Sequence, residues 1–225
     1  IIIGNGSTEL IRLFAEVFIE RGDEALIPAP TFGEYEIAVR KAGGKINFLK
    51  LDPAGFCIKA DEVVGQFRKR TKILFFCNPN NPTGQLIKRK DMLKIVKEAS
   101  QRNILVFIDE SFMDFVNGNE RFTLIRDVRA HPNLFVLRSL TKTFGLPGLR
   151  VGYGAGCEEM IELLHRAKTP WNVNVLAQIA AVAALGDDEY MVRARQLIVR
   201  EREYLSRGFT KFKHLRVFPS DTNFL

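Results

Sequence analysis

Ile73-Leu74-Phe75-Phe76-Cys77, the loop Asn78-Pro79-Asn80-Asn81-Pro82-Thr83-Gly84, the run Lys90–Gln101 and Leu105-Val106-Phe107-Ile108 form the stretch that decides the fold. The two apolar runs are short, rich in aromatic and β-branched residues and bounded by turn residues, so they read as buried strands. The run between them is amphipathic and reads as a helix. The same alternation extends in both directions. Strands are expected near Ala25–Ile27, Ile46–Leu49, Leu134–Leu137 and Val151–Tyr153. Helices are expected over Thr8–Arg21, Glu34–Ala42, Ala60–Phe67, Glu158–Arg166 and Asn174–Leu185. Such alternation predicts an α/β fold, a three-layer sandwich around a mostly parallel central sheet. From Asp188 to about Phe212 runs a charged amphipathic helix that reads as a connector. The segment Phe218–Leu225 reads as a new strand, and both ends of the chain read as cut. Residues 1–186 are therefore expected to form a large domain, and 187–225 the connecting helix and the start of a C-terminal small domain that is largely missing.

Composition narrows the class. The chain has 225 residues and is 46% hydrophobic, enough for a substantial core. Cys57, Cys77 and Cys157 are widely spaced, with no CxxC pair or Cys/His cluster, so neither a disulfide framework nor a zinc site is indicated. Free thiols suit a reducing, cytoplasmic setting. Ile1-Ile2-Ile3-Gly4 lacks the basic lead and the length of a signal peptide, and Val173–Leu185 is too short to span a bilayer and reads as a buried helix. The net charge is +7, but the densest basic runs, Arg68–Lys72 and Lys88–Lys90, have no interleaved aromatics and read as solvated faces. Neither a nucleic-acid partner nor a membrane is expected.

Four segments besides the strand-end lysine carry chemistry. Lys142 follows an apolar strand in Ser139-Leu140-Thr141-Lys142, with Arg150 eight residues later. A lysine there is costly unless its charge is lowered or used, and one use is a Schiff base with a carbonyl cofactor. Ser139, Thr141 and Arg150 supply the hydroxyls and cation that a phosphate requires. Gly4-Asn5-Gly6-Ser7-Thr8 precedes a helix whose N-terminus would offer free N–H groups to an anion; an ordinary glycine turn with a Ser/Thr cap explains the same residues. There is neither a complete GxGxxG nor a GxxxxGK[ST] in the chain. Phe32 in Pro30–Tyr35 could offer a flat face to a heteroaromatic ring or fill a core position. In Asn78–Gly84 two prolines stiffen a loop that carries asparagine amides at a strand's C-terminal end, where one could donate to a phenolate. Asp109 places a carboxylate at the end of a buried strand, where it wants a cation such as a pyridinium nitrogen. A Walker B reading of Asp109-Glu110 lacks its Walker A partner.

Together these segments closely resemble the pyridoxal-phosphate enzymes of the aspartate-aminotransferase fold. GNGS, PTFGEY, NPNNPTG, IDESFMDF and SLTKTFGLPGLRVGY occur in that family's order and span essentially all of the chain. The resemblance implies pyridoxal 5'-phosphate as cofactor. It implies that Lys142 forms the Schiff base and then moves protons, and that Asp109 pairs with the pyridine nitrogen. It also implies that Asn81 holds the phenolate oxygen, that Phe32 stacks on the ring, and that Gly6, Ser7, Thr8, Ser139, Thr141 and Arg150 cradle the phosphate. A homodimer and a small phosphorylated amino acid or amine as substrate are likewise implied. One position departs: many members carry Tyr three residues after the pyridine-pairing Asp, and here it is Phe112. The lost hydrogen bond leaves Asn81 as the main phenolate partner and should alter the pH range of activity.

Within the superfamily the chain is similar to the branch holding histidinol-phosphate aminotransferase and threonine-phosphate decarboxylase. Phe112, Pro147 and Pro170-Trp171-Asn172-Val173-Asn174 lean toward the decarboxylase, an enzyme of cobalamin side-chain synthesis. The choice is stereoelectronic, because the bond held perpendicular to the cofactor ring is the one that breaks. The groups that set that orientation are expected outside this sequence, so the chain alone is expected to bind cofactor weakly and turn over little substrate. Two non-enzyme readings compete: a regulator-type domain, against which an intact Lys142, Asp109 and Asn81 argue, and a basic nucleic-acid module, which salt-sensitive duplex binding would reveal. His131, His165 and His214 have no matched ligands and read as structural.

Overall fold

A computed structural model describes all 225 residues. Seven strands form one sheet: β1 (Ile2–Gly4), β2 (Glu24–Ala29), β3 (Lys45–Lys50), β4 (Thr71–Cys77), β5 (Leu105–Asp109), β6 (Leu134–Ser139) and β7 (Gly152–Ala155). Their order is β1-β7-β6-β5-β4-β2-β3. β7 runs antiparallel to both neighbours and every other pairing is parallel. The helices are α1 (Ser7–Phe18), α2 (Glu34–Lys41), α3 (Ala60–Gly65), α4 (Arg89–Ser100), α5 (Leu140–Thr143), α6 (Glu158–Ala167), α7 (Val175–Leu185) and α8 (Asp188–Phe209).

The central strands are apolar throughout because both sheet faces are covered. Side chains alternate across a strand. Ile73, Phe75, Cys77, Phe107, Phe135 and Leu137 therefore join one core cluster with α1, α2 and α6. Leu74, Phe76, Val106, Ile108, Leu134 and Val136 join a second with α3 and α4. These two clusters make the three-layer sandwich. In the first, Phe107 meets the rings of Phe14, Phe75 and Phe135 at centroid distances of 5.0, 5.1 and 5.1 Å. Truncating so buried a phenylalanine to alanine costs about 3–5 kcal/mol. The same alternation sends Asp109 to the α1/α2 side of the sheet and Glu110, one residue on, to the α3/α4 side.

The structure corrects several expectations. β1 and α5 were not expected; three and four residues are too short to show a period. Phe218–Leu225 is not a strand. It pairs with neither edge strand, β1 or β3, and is tied over the loop after β4 instead: Gln85 Nε2 donates to the Pro219 carbonyl (2.6 Å) and Asp221 N to the Gly84 carbonyl (3.0 Å). Nor is the apolar run before α8 a buried helix. Only Ala177 and Ala181 of α7 are buried, while Val175, Leu176, Ile179 and Val182 are exposed. The small residues, four apart, let α7 seat closely on the body, and its large residues face away.

Candidate active site

Asp109, Ser139 and Lys142 come from the C-terminal ends of adjacent parallel strands or the turn just beyond. That is where ligands bind in open α/β sheets. Cys77 lies beside Asp109 in register across β4 and β5. Asp109 is buried, its Oδ2 accepts from the Tyr35 hydroxyl (2.9 Å), and its Oδ1 accepts from Ser111 N (2.9 Å). No cationic side chain forms a salt bridge with it. Burial pushes its pKa up, against the opposing pull of Ser111, Tyr35 and Lys142. Burial also pushes the Cys77 thiol up to about 12, with the Asp109 charge adding to it. Cys77 thus stays a neutral thiol, donating to the Pro79 carbonyl at 3.2 Å.

Lys142 sits in α5, the single turn that follows β6. Its side chain is more open to solvent than the sequence suggests, yet partial desolvation, with the nearby Arg150 cation, lowers its pKa. Its Nζ donates to Thr141 Oγ1 (3.2 Å), which in turn shares a hydrogen bond with Ser139 Oγ (2.8 Å). Ser139 and Thr141 are both buried. A lysine in this setting is an exposed primary amine whose neutral form burial and Arg150 favour, in the direction that imine chemistry uses.

Above this row the N-terminus of α1 closes on Arg150. Gly6 has φ 77 and its α-carbon faces the Arg150 guanidinium so closely that any Cβ would collide with it. Gly152 is equally constrained, because a Cβ there would lie 2.9 Å from Ser7 N and from the Arg138 carbonyl. These glycines draw the α1 N-terminus onto β6 and β7. Ser7 is buried at this junction, and Thr8 and Arg150 line one open cavity beside it. Arg150 also donates from Nη1 to the Pro147 carbonyl (3.0 Å). The result is a cradle of helix N–H groups, hydroxyls and one guanidinium, suited to a phosphate dianion.

Phe32 and Asn81 stand on the neighbouring loops. Asn80 ties the loops together: its Nδ2 donates to the Pro30 carbonyl (3.0 Å), and Thr31 Oγ1 donates to its Oδ1 (2.7 Å). Phe32 meets Tyr35 edge-on, with centroids 5.8 Å apart. Asn81 is half-buried just beyond Cys77, its side-chain amide forming no hydrogen bond with the rest of the chain. Phe112 is buried against Phe224, ring to ring at 5.1 Å and 88°. The expected residues thus fall on one end of the sheet. The sequence places Tyr35 near the site through its neighbour Phe32 but gives it no role, and its bond to Asp109 is what that reading lacks. The place of Tyr35 three residues after Phe32, one turn along the start of α2, is the signal that could have found it.

The residues fit pyridoxal phosphate. A buried carboxylate without a salt-bridge partner suits a pyridinium, an exposed lysine suits an aldehyde, and a glycine-floored basic cradle suits the phosphate. The family model for aminotransferase class I and II matches residues 1–225. A histidinol-phosphate aminotransferase from Moorella thermoacetica is 37% identical over 100% of this chain and 58% of its own length. The crystal structure of the histidinol-phosphate aminotransferase from Clostridium acetobutylicum superposes with a TM-score of 0.90 at 30% identity, covering 98% of this chain and 65% of that one. That of L-threonine-O-3-phosphate decarboxylase from Porphyromonas gingivalis gives 0.82 at 26% identity, covering 98% and 67%. The chain spans about 60% of the length of the curated relatives it matches. With a family model matched from end to end and the motifs in place at the strand ends, the chain belongs to the aminotransferase class I and II family, whose cofactor is pyridoxal phosphate.

Proposed function

We propose that this chain is the cofactor-binding part of an enzyme that acts on a phosphorylated amino acid or amine. One observation carries the reading: a buried Asp109 without a salt-bridge partner, an exposed Lys142 and the Gly6–Arg150 cradle converge at one end of the sheet. In this reading Lys142 holds the cofactor's aldehyde carbon and later carries a proton to or from the substrate's α-carbon. Asp109 pairs with the ring nitrogen, Asn81 donates to the phenolate oxygen and Phe32 covers the ring. Gly6, Ser7, Thr8, Ser139, Thr141 and Arg150 hold the phosphate. The bound cofactor supplies an electron sink for the bond broken at the α-carbon. Residues 1–186 are the cofactor-binding large domain, and 187–225 the connector and the start of the small one.

Two activities fit these residues. Phe112, Pro147 and Pro170–Asn174 favour threonine-phosphate decarboxylase, a lyase of cobalamin biosynthesis, and the solved decarboxylase supports it as a fold relative. The names of the Moorella and Clostridium relatives favour histidinol-phosphate aminotransferase, a transferase of histidine biosynthesis. The exposed apolar side of α7 supports a homodimer, and the three free thiols support a cytoplasmic setting. No helix is long and apolar enough to cross a membrane. The protein encoded by the complete gene decides between the two. Supplied with pyridoxal phosphate and O-phosphothreonine but no keto acid, a decarboxylase releases stoichiometric CO₂. Absence of CO₂, with amino transfer from histidinol phosphate to 2-oxoglutarate, establishes the transferase.

A further inference from the structure

We propose that Tyr35 is a positioning residue that fixes and keeps ionised the carboxylate of Asp109, and so sets how tightly the cofactor ring is held. The inference rests on the assignment of Asp109 to the ring nitrogen. Tyr35 is the second residue of α2 and has no solvent exposure. A hydroxyl buried that deeply needs a partner, and Tyr35 Oη donates to Asp109 Oδ2 at 2.9 Å. The ring cannot turn away, because it lies stacked on Phe75 (5.6 Å, 15°) and abuts Phe32 edge-on (5.8 Å, 81°). One side chain therefore joins the residue assigned to the cofactor's face and the residue assigned to its nitrogen. With Ser111 N on Oδ1, both oxygens of Asp109 are held in place by the chain itself.

The electrostatics agree with the geometry. The groups around Asp109 are Tyr35 from α2, Cys77 from β4, Ser111 beyond β5 and Lys142 from α5. Burial and the nearby Asp109 push the Tyr35 hydroxyl well above its ordinary range, so it remains a donor at any pH the protein meets. A donor aimed at a carboxylate favours the ionised form. Without it, Asp109 takes a proton more readily and pairs less well with a pyridinium. The loss should deepen as pH falls.

The test is a double-mutant cycle on the protein encoded by the complete gene, read as the Kd for pyridoxal phosphate by equilibrium dialysis at about pH 8 and about pH 6. Y35F keeps the ring and removes only the hydroxyl. It should weaken binding about tenfold at the higher pH, the scale of one hydrogen bond to a charged group, and more at the lower. In the D109N background the same change should move Kd by less than about twofold, because the ionised carboxylate that the hydroxyl supports is gone. Equal weakening in both backgrounds would show that Tyr35 acts through packing and would overturn the proposal, as would no weakening in either. A wild-type protein that binds no pyridoxal phosphate is a separate result, since it removes the cofactor assignment itself.

Discussion

Asp109 and Glu110 are neighbours at the end of one strand, yet pleating sends them into opposite surroundings. Glu110 points to the α3/α4 side, where Arg138 Nη2 meets its Oε2 at 2.9 Å, Thr123 Oγ1 donates to the same oxygen at 2.6 Å and Leu124 N donates to Oε1 at 2.9 Å. Arg138 also reaches Asp114 at 2.6 Å, and Asp114's carbonyl accepts from Arg195 of α8. That carboxylate is fully enclosed and internally neutralised. Asp109, on the other face, has two neutral donors and no salt bridge, Lys142 acting on it only from beyond contact distance. Burial raises the pKa of both, so desolvation does not tell them apart. What does is whether the chain supplies the counter-charge. A buried carboxylate whose cation is built in holds the fold together. One whose cation is not built in is positioned to receive it from a ligand.

The comparison breaks most visibly in stability. Arg138→Met strands the fully buried Glu110 without its cation and should cost about 3–5 kcal/mol in denaturant unfolding, the usual penalty for an uncompensated buried charge. Asp109→Asn should shift stability by no more than about 1 kcal/mol while abolishing tight cofactor binding. Comparable losses from the two variants would mean that Asp109 is structural after all.

Acid sharpens it further. A carboxyl whose folded pKa lies above its unfolded value costs stability where it is ionised, and that cost fades as pH falls through the folded pKa. Apo-protein melting curves should therefore show wild type gaining on D109N as the pH drops from neutral toward the carboxylate range, where Asp109 gains its proton. A constant gap across that range would contradict the upward shift.

The smallest effect concerns the phenolate side. Phe112 packs on Phe224 and offers no hydrogen bond, whereas Phe112→Tyr adds a donor of about 1–1.5 kcal/mol near the proposed phenolate. A donor there stabilises the anion, so the pH midpoint of the bound cofactor's absorbance should fall by about one unit. An unmoved midpoint would place the position 112 side chain out of reach of that oxygen.

Much of this was legible in the residues. The apolar runs Ile73–Cys77, Leu105–Ile108 and Leu134–Leu137 announce strands covered on both faces, and the motif residues fall at their C-terminal ends because the strands are parallel. The Glu110–Arg138 pair and the Tyr35–Asp109 bond were not legible. Each joins residues 28 or more apart through a register that only the folded sheet defines, although Tyr35 stands inside the PTFGEY motif and Arg138 immediately before SLTKTFGLPGLRVGY. α7 was misread for a different reason. Its composition is that of a buried helix, and only the placement of Ala177 and Ala181 shows that the large side chains face outward. Phe218–Leu225 has the make-up of a strand, but its backbone bonds go to Gly84 and Gln85 of the loop after β4, a tie that composition does not announce.

The most direct test of the central claim, that Lys142 is the cofactor-bearing lysine, is borohydride reduction of the protein incubated with pyridoxal phosphate, followed by peptide mass mapping. The account predicts a single stoichiometric label on the peptide containing Lys142, lost in Lys142→Ala. Label spread over surface lysines, or persisting in that variant, would contradict it.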